Sequence, residues 1–234
     1  ANLAFSPQES DILYKTLQEE RPFPLFINGR AGSGKSTILQ HLFSEYLYFS
    51  SQQITYNKPP IYPAYFTCNQ TLTDRASDTI KQILQVKDTQ KSWSPLIKSV
   101  CLEFRGFLID LIPLEERGKF ERKKWLDYGH FRLLWDKKFG HHAQALQNYP
   151  ASLCWHVIRS YIKGFSFDNY LELHEYQELG EDQRSVNDVI YQTIYESVWQ
   201  NWYLPLCKKE NYWDDQDLAR YVLSHDYVKP RFAA

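Results

Sequence analysis

A glycine-rich loop near the start of the chain has the residue types that bind phosphate groups. It runs Gly29-Arg30-Ala31-Gly32-Ser33-Gly34-Lys35-Ser36-Thr37. Gly29, Gly32 and Gly34 allow backbone turns that residues with a Cβ atom avoid, so successive N–H groups can point into one concavity. Lys35 is placed to reach the β- and γ-phosphates of a nucleotide, and the Ser36 hydroxyl is placed to bind Mg²⁺. The spacing therefore predicts a nucleoside triphosphate site over residues 29–37.

The segments on either side of this loop predict the elements that hold it. The apolar residues 25–27 predict a strand that leads into the loop, and the apolar spacing over residues 36–49 predicts a helix that follows it. Further upstream, Ser6 is a suitable N-cap and Pro7 suits the first helical position. Glu9 completes a capping box with Ser6. We therefore expect a helix, then a strand, then the loop at the positive end of a second helix.

A second pair of elements follows. Residues 64–67 predict a short strand, and residues 73–86 predict a helix with one apolar face. Strand and helix in alternation indicate a parallel sheet with helical crossovers. Thr67 and Asn69 stand at the carboxyl end of the strand, where open α/β sheets bind ligands. Ordinary turn chemistry explains the same two residues, and position alone leaves both interpretations open.

Within the mostly apolar segment 93–113, the run 107–111 contains a single acid, Asp110, which has two interpretations. A buried strand that ends at Asp110 would supply a second Mg²⁺ ligand to a phosphate-loop enzyme. A helix that runs to a stop at Pro113 explains the pattern equally well. Both interpretations remain open from the sequence.

Residues 114–204 have the apolar spacing of helices and contain no further glycine loop or strand alternation. The charged run 115–124 is followed by Trp125 and Tyr128, and basic residues among aromatic ones can bind a nucleic-acid strand. Because the run mixes both signs of charge, a solvated helix face is favoured. Ser185 is a candidate cap for the longest helix, and Asp214 is the expected N-cap of a last helix.

Composition limits the classes of partner. The net charge is −1, so no overall field attracts nucleic acid or a membrane surface. No apolar run approaches the roughly 18 residues that span a bilayer, and the first residues lack a signal-peptide pattern. The four cysteines are scattered and form no C-x-x-C pair, which is typical of thiols in a reducing compartment. We therefore expect a cytoplasmic protein with no membrane partner.

Taken together, the motifs resemble the N-terminal part of a UvrD/Rep-like superfamily-one DNA helicase. Residues 5–8 resemble the glutamine motif of that family, which implies that Gln8 selects adenine. Residues 29–37 match its first helicase motif. Residues 65–69 are similar to the next motif, which implies that Thr67 and Asn69 contact single-stranded DNA. Residues 103–107 lie where the family carries a Thr-Phe-His run, and Glu103 and Arg105 depart from it.

The resemblance implies a fold class and a domain organisation. The expected fold is α/β, with a phosphate-loop (RecA-like) parallel sheet and a mainly helical inserted subdomain. Residues 1–113 and 205–234 would form an incomplete RecA-like domain. Residues 114–204 would form the insertion, similar to subdomain 1B of the family.

The implied function is the ATP-binding N-terminal portion of an ATP-dependent DNA helicase or translocase. Its cofactors would be ATP and Mg²⁺, and its partner single-stranded or partly double-stranded DNA. Lys35 would neutralise phosphate charge as the catalytic lysine. The family's Asp-Glu-x-Gln-Asp motif and second RecA-like domain are absent from this sequence. We therefore expect these residues alone to bind nucleotide weakly and not to unwind DNA.

Two other functions remain open. A phosphotransferase of the small-kinase type would use Asp110 as a magnesium ligand. A nucleotide-gated interaction module would use the helical part to bind a protein. Substitution of Gln8 by Ala distinguishes the phosphotransferase interpretation from the helicase interpretation, because only the helicase interpretation predicts a weaker preference for adenine in this variant.

Overall fold

The computed structural model describes residues 6–18, 25–52, 62–140, 149–166 and 168–227. The chain divides into two compact units. Unit 1 comprises Ala1–Phe107 and Pro230–Ala234, and unit 2 comprises Leu108–Lys229. The assignment of residues 1–113 and 205–234 to one functional domain, and of 114–204 to another, stays a prediction.

Unit 1 consists of helices around one short sheet. Its elements are α1 (Pro7–Gln18), α2 (Lys35–Gln52), β1 (Tyr65–Thr67), α3 (Gln70–Lys87), α4 (Ser94–Val100) and β2 (Cys101–Glu103), and α5 (Phe104–Leu111) crosses into unit 2. The core is formed where α2 packs on α3 and α4, with Leu47, Ile80 and Leu84 fully buried. Burial of these apolar faces holds α2, and with it the end of the glycine-rich loop, against the rest of the unit.

The predicted RecA-like parallel sheet is wrong. In the described residues, β1 and β2 form the only sheet, a parallel pair with Tyr65 opposite Cys101 and Thr67 opposite Glu103. Residues 25–27 are irregular, and Phe26 is 87% exposed. A strand is stable only beside a partner that accepts its hydrogen bonds, and this segment pairs with neither β1 nor β2. The chain is thus mainly helical.

Several local predictions are confirmed. The Ser6 N–H donates to Glu9 Oε2 (2.8 Å) and the Glu9 N–H to Ser6 Oγ (3.3 Å), which is the expected capping box of α1. The helix after the loop begins at Lys35 and reaches Gln52.

Asp110 lies on a helix, α5, so the strand interpretation of that segment is wrong.

Unit 2 is built from helices. They are α6 (Tyr128–Phe139), α7 (Ala151–Val157), α8 (Leu173–Glu178), α9 (Asp188–Thr193), α10 (Leu204–Glu210) and α11 (Asp215–Ser224), with short 3₁₀ segments at Leu114–Phe120, Arg122–Lys124 and Glu181–Gln183. Segments of π-helix continue α7 over Ile158–Ile162 and join α9 to α10 over Ile194–Tyr203. Within the described ranges, no helix is both long and apolar enough to cross a membrane.

Two expected helix boundaries in unit 2 are wrong. The Asn187 side chain, not Ser185, caps α9 by accepting a hydrogen bond from the Ile190 N–H (2.9 Å). The sequence of residues 168–179 predicts a second, shorter helix, but the helix there, α8, covers only Leu173–Glu178. An Asn accepts this bond as well as a Ser does, so the first polar residue before an apolar run is a weak guide to the cap.

Buried aromatic rings dominate the core of unit 2. Tyr176 and Tyr191 are fully buried and stack with ring centroids 3.7 Å apart. Their hydroxyls donate to the carbonyls of Val186 (2.7 Å) and Leu171 (2.8 Å), so neither polar group lacks a partner. Phe131 and Trp135, two aromatic residues of α6, also lie in this core.

A buried cluster of charges joins two parts of unit 2. Lys163, which follows the π segment Ile158–Ile162, donates to Asp214 Oδ2 (2.7 Å) and Asp217 Oδ2 (2.6 Å). Burial lowers the pKa of Lys163, but the charges of the two aspartates outweigh it, and the pKa lies above its ordinary value. Asp214 also forms the predicted N-cap of α11, in a capping box with Asp217.

Candidate functional site

The glycine-rich loop ends in the conformation that its glycines make possible. Gly32 and Gly34 have φ angles of +80° and +79°, in the left-handed region that favours glycine. α2 begins at the next residue, Lys35, and extends for 18 residues. Its first turn contains no acidic side chain, so no residue of α2 itself neutralises the free N–H groups and the positive end of the helix dipole. This end of α2 suits an anion.

The Lys35 side chain folds back over the loop. Its ammonium group donates to the carbonyl oxygens of Gly29 (2.7 Å) and Arg30 (2.6 Å) and lies 3.4 Å from Ser33 Oγ. All three acceptors are uncharged, and no ion pair of Lys35 with a carboxylate occurs in the described part of the chain. The lysine charge is therefore held in the loop without a counter-ion, which is the state that a phosphate group would complement.

The first turn of α1 contacts the loop. A methyl group on Gly34 would overlap the carboxylate of Glu9, so the Glu9 side chain lies directly against the Gly34 backbone. The same carboxylate accepts from the Ser6 N–H, and this hydrogen bond lowers the pKa of Glu9. A negative charge thus stands beside the end of α2. Gln8, the predicted adenine reader, is exposed in the same turn of α1.

The remaining loop residues are accessible. Arg30, Ala31, Ser33 and Ser36 are exposed, and Thr37 is half-buried in the first turn of α2. In the described residues, no three His, Cys, Asp or Glu side chains come together as a metal site. A magnesium ion at the loop would therefore rely on the Ser36 hydroxyl together with oxygens of its ligand and of water.

The two residues expected to contact DNA have structural partners at the edge of the sheet. Asn69 caps α3 by accepting from the Leu72 N–H (3.0 Å). Thr67 Oγ1 donates to the Asn69 carbonyl (3.0 Å) and lies 2.5 Å from Thr73 Oγ1. Asn69 is nevertheless exposed, so its amide remains accessible beside its capping role. A DNA contact by either residue stays a prediction.

The neighbouring strand brings an acid to the same edge. Glu103 is opposite Thr67 in the sheet register. Its Oε2 accepts from the Gly106 N–H (2.6 Å) at the start of α5, and its Oε1 lies 3.6 Å from Arg105. Glu103 and Arg105 are the residues that depart from the helicase pattern, and the structure gives Glu103 a capping role that accounts for an acid there.

Asp110 does not have the surroundings of a buried magnesium ligand. Its carboxylate is 61% exposed and lies 3.2 Å from the Arg117 guanidinium, which also donates to the Asp110 carbonyl (2.9 Å). The exposed ion pair with Arg117 is sufficient to explain an acidic residue at this position of the helix. The structure thus adds nothing that favours the phosphotransferase interpretation.

Sequence reasoning missed Glu9 as a residue of the loop site. Its place in a capping box was predicted, but its contact with Gly34 depends on how α1 packs on α2. No spacing signal marks such a contact.

Comparisons with models of protein families, with curated proteins and with solved structures find no match to this chain.

Proposed function

We propose that the chain binds ATP with Mg²⁺ through residues 29–37. The observation that carries this proposal is the Lys35 ammonium, held without a carboxylate partner over a loop whose two left-handed glycines lead into α2. Triphosphate oxygens would replace the Gly29 and Arg30 carbonyls as acceptors of Lys35 and would accept from the free N–H groups of the first turn. Isothermal titration calorimetry with Mg²⁺-ATP tests the proposal, and absence of binding at millimolar ATP would reject it.

The other parts of the nucleotide are assigned to side chains near the loop. Ser36 Oγ would coordinate Mg²⁺, together with phosphate oxygens and water, and Gln8 would pair with the edge of adenine. The metal would neutralise phosphate charge and hold the triphosphate in one geometry. The loop residues would fix the positions of the phosphates and of the metal. The negative charge of the Glu9 carboxylate would repel the triphosphate.

Replacement of Glu9 by Gln is expected to raise the affinity for Mg²⁺-ATP about threefold to tenfold, because a repulsive charge beside the phosphates is removed. The capping box of α1 is preserved, since Gln at this position makes the same hydrogen bond to the Ser6 N–H. Calorimetric titration of the wild type and the variant measures the change.

Asp11→Asn is the matched control for Glu9→Gln. It removes one negative charge from the same helix, and Asp11 pairs with Lys15 and not with the loop. We expect its affinity for Mg²⁺-ATP to stay within about twofold of the wild type. Equal affinities of Glu9→Gln and the wild type would mean that the triphosphate does not lie at Gly34.

The wider proposal is that ATP binding serves an ATP-driven DNA helicase or translocase. It is supported by the motifs around Gln8, Lys35 and Asn69 and by the exposure of the Asn69 amide. In this function Thr67 and Asn69 would contact the sugar-phosphate backbone of a single strand. In its described residues the structure lacks the RecA-like sheet that the resemblance implies, so the helicase proposal rests on these motifs.

Asn69→Asp is expected to weaken binding of a single-stranded oligonucleotide about fivefold to tenfold, because a carboxylate would face the phosphates. The substitution keeps the cap of α3, since Asp and Asn cap helices equally well. Fluorescence anisotropy of a labelled oligonucleotide measures the affinity. Asn187→Asp, which makes the same change at the cap of α9, is the control and is expected to leave the affinity unchanged.

Cys68 supplies a second readout of the same contact. It is exposed beside Asn69, whereas burial raises the pKa of Cys101 to about 11 and of Cys154 and Cys207 to about 12. Iodoacetamide should therefore modify Cys68 first, and a bound oligonucleotide should slow that reaction. Unaltered alkylation of Cys68 at saturating oligonucleotide would count against the contact.

A further inference from the structure

Unit 2 contains an open cavity of about 720 Å³ that no part of the proposed ATP site uses. Its volume lies in the range of small-molecule sites in proteins. Lysines and aromatic residues predominate in its lining. The lining residues come from the 3₁₀ segments near residue 120, from the π segment Ile194–Tyr203 and from the end of α10, among others. This combination suits a ligand that has both negative charge and a flat ring.

Two of the lining lysines have no acidic partner in the described residues. Lys163 is neutralised by its two aspartates, and Lys123 pairs with Glu121 (2.7 Å). By contrast, Lys124 and Lys208 make no ion pair there. Lys208 is exposed, and Lys124 lies 5.2 Å from the centroid of the Tyr212 ring. Glu115 and Glu121 also line the cavity, and the charge of Lys124 acts on Glu121. The lining nevertheless has five lysines against three acids, and this excess of positive charge favours a phosphate group.

Tyr212 provides an aromatic surface beside this charge. Its ring is half-buried, whereas the neighbouring Trp213 is buried and donates from Nε1 to the Glu121 carbonyl (3.0 Å). Asn211, also in the lining, is exposed and has a φ angle of +55° that ends α10. A side-chain amide next to an accessible ring is the pair of groups that can bind the edge and the face of a nucleobase.

One π-helical segment of unit 2 lines this cavity, and the other ends at the residue before a lining lysine. Lys163 directly follows Ile158–Ile162, and Trp199 and Tyr203 belong to Ile194–Tyr203. The hydrogen bonds of a π-helix are less favourable than those of an α-helix, and such segments are frequent at functional sites. Their position here is therefore a second observation that points to a ligand.

We propose that this cavity binds a nucleotide unit, with its phosphate at Lys124 and Lys208 and its base against Tyr212. The unit is either a free nucleotide or one nucleotide of a nucleic-acid strand, since both present the same chemistry. The inference does not rest on ATP binding by the glycine-rich loop, because its residues all lie in unit 2.

The experiment uses the whole chain with the substitutions Lys35→Ala and Asn69→Asp, which weaken both sites of the proposed function. Binding of a fluorescent ATP analogue and of a fluorescein-labelled oligothymidylate is measured by anisotropy. Adding Lys124→Gln and Lys208→Gln is expected to lower the affinity for whichever ligand binds by about tenfold or more, because two charged hydrogen bonds are lost. Tyr212→Leu is expected to weaken it severalfold.

Lys137→Gln with Lys138→Gln is the control, because it removes the same charge from exposed lysines of α6 that do not line the cavity. Its affinity should stay within about twofold of the parent. Binding of the ATP analogue alone would identify a free nucleotide, and binding of the oligothymidylate alone would identify a strand. The proposal is overturned if neither ligand binds, or if the two double substitutions have equal effects.

Discussion

Replacement of Lys163 by Met is expected to lower the free energy of unfolding of unit 2 by about 3 to 5 kcal/mol, the cost of leaving a buried charge without its partner. Lys163 and Asp214 are almost fully buried, and Asp214 would lose its only cationic partner among the described residues. Urea unfolding followed by tryptophan fluorescence measures the loss, since every tryptophan except Trp93 lies in unit 2.

The pH dependence of this effect has a definite sign. The raised pKa of Lys163 contributes stability that is present below its ordinary value of 10.5 and is lost only as the pH rises through the higher folded value. The difference in unfolding free energy between Lys163→Met and the wild type should therefore be nearly constant from about pH 7 to pH 9.

Two further variants test whether the loss of stability in Lys163→Met comes from the unpaired buried charge. Lys123→Met removes an exposed ion pair with Glu121 and should change stability by less than about 1 kcal/mol. The double variant Lys163→Met, Asp214→Asn should recover part of the loss, because Asn keeps the cap of α11 without a charge. A loss below about 1 kcal/mol in Lys163→Met would show that the cluster is not buried as described.

Replacement of Lys35 by Ala is expected to weaken Mg²⁺-ATP binding about tenfold to a hundredfold, the range for loss of a charged hydrogen bond to phosphate. In the described residues, the hydrogen bonds of the Lys35 ammonium all go to its own loop, to Gly29, Arg30 and Ser33. The effect on stability should therefore be small. Calorimetric titration measures the affinity.

Lys81→Ala is the control for Lys35→Ala. Lys81 is exposed on α3 and has no ion pair in the described part of the chain. Its loss changes the net charge equally and should leave the affinity for Mg²⁺-ATP unchanged. If Lys35→Ala bound the nucleotide as tightly as the wild type, the loop would have no part in phosphate binding.

Features set by a few neighbouring residues could be predicted from the sequence. The capping box at Ser6 and the N-cap at Asp214 each depend on a hydrogen bond that spans three residues, so local spacing is sufficient. The left-handed turns at Gly32 and Gly34 likewise follow from the residue type. The start of α2 at Lys35 then follows, because the glycines end the loop there.

Features that depend on distant partners could not be predicted. The apolar residues 25–27 have the composition of a strand, but only pairing could have made them one, and their sequence does not specify a partner. The partners of Lys163 are Asp214 and Asp217, more than fifty positions along the chain, and nothing in their spacing indicates a contact. The approach of Glu9 to Gly34 depends in the same way on packing between helices.

We propose that residues 29–37 hold the phosphates of ATP, and an amide chemical-shift titration detects such binding residue by residue. The ¹⁵N-labelled chain is titrated with Mg²⁺-ATP, and the assigned amides of the whole chain are followed. The largest shifts are expected at Gly32, Gly34, Lys35 and Ser36, and these shifts should be lost in Lys35→Ala. Binding that leaves these amides unshifted, while moving others, would contradict it.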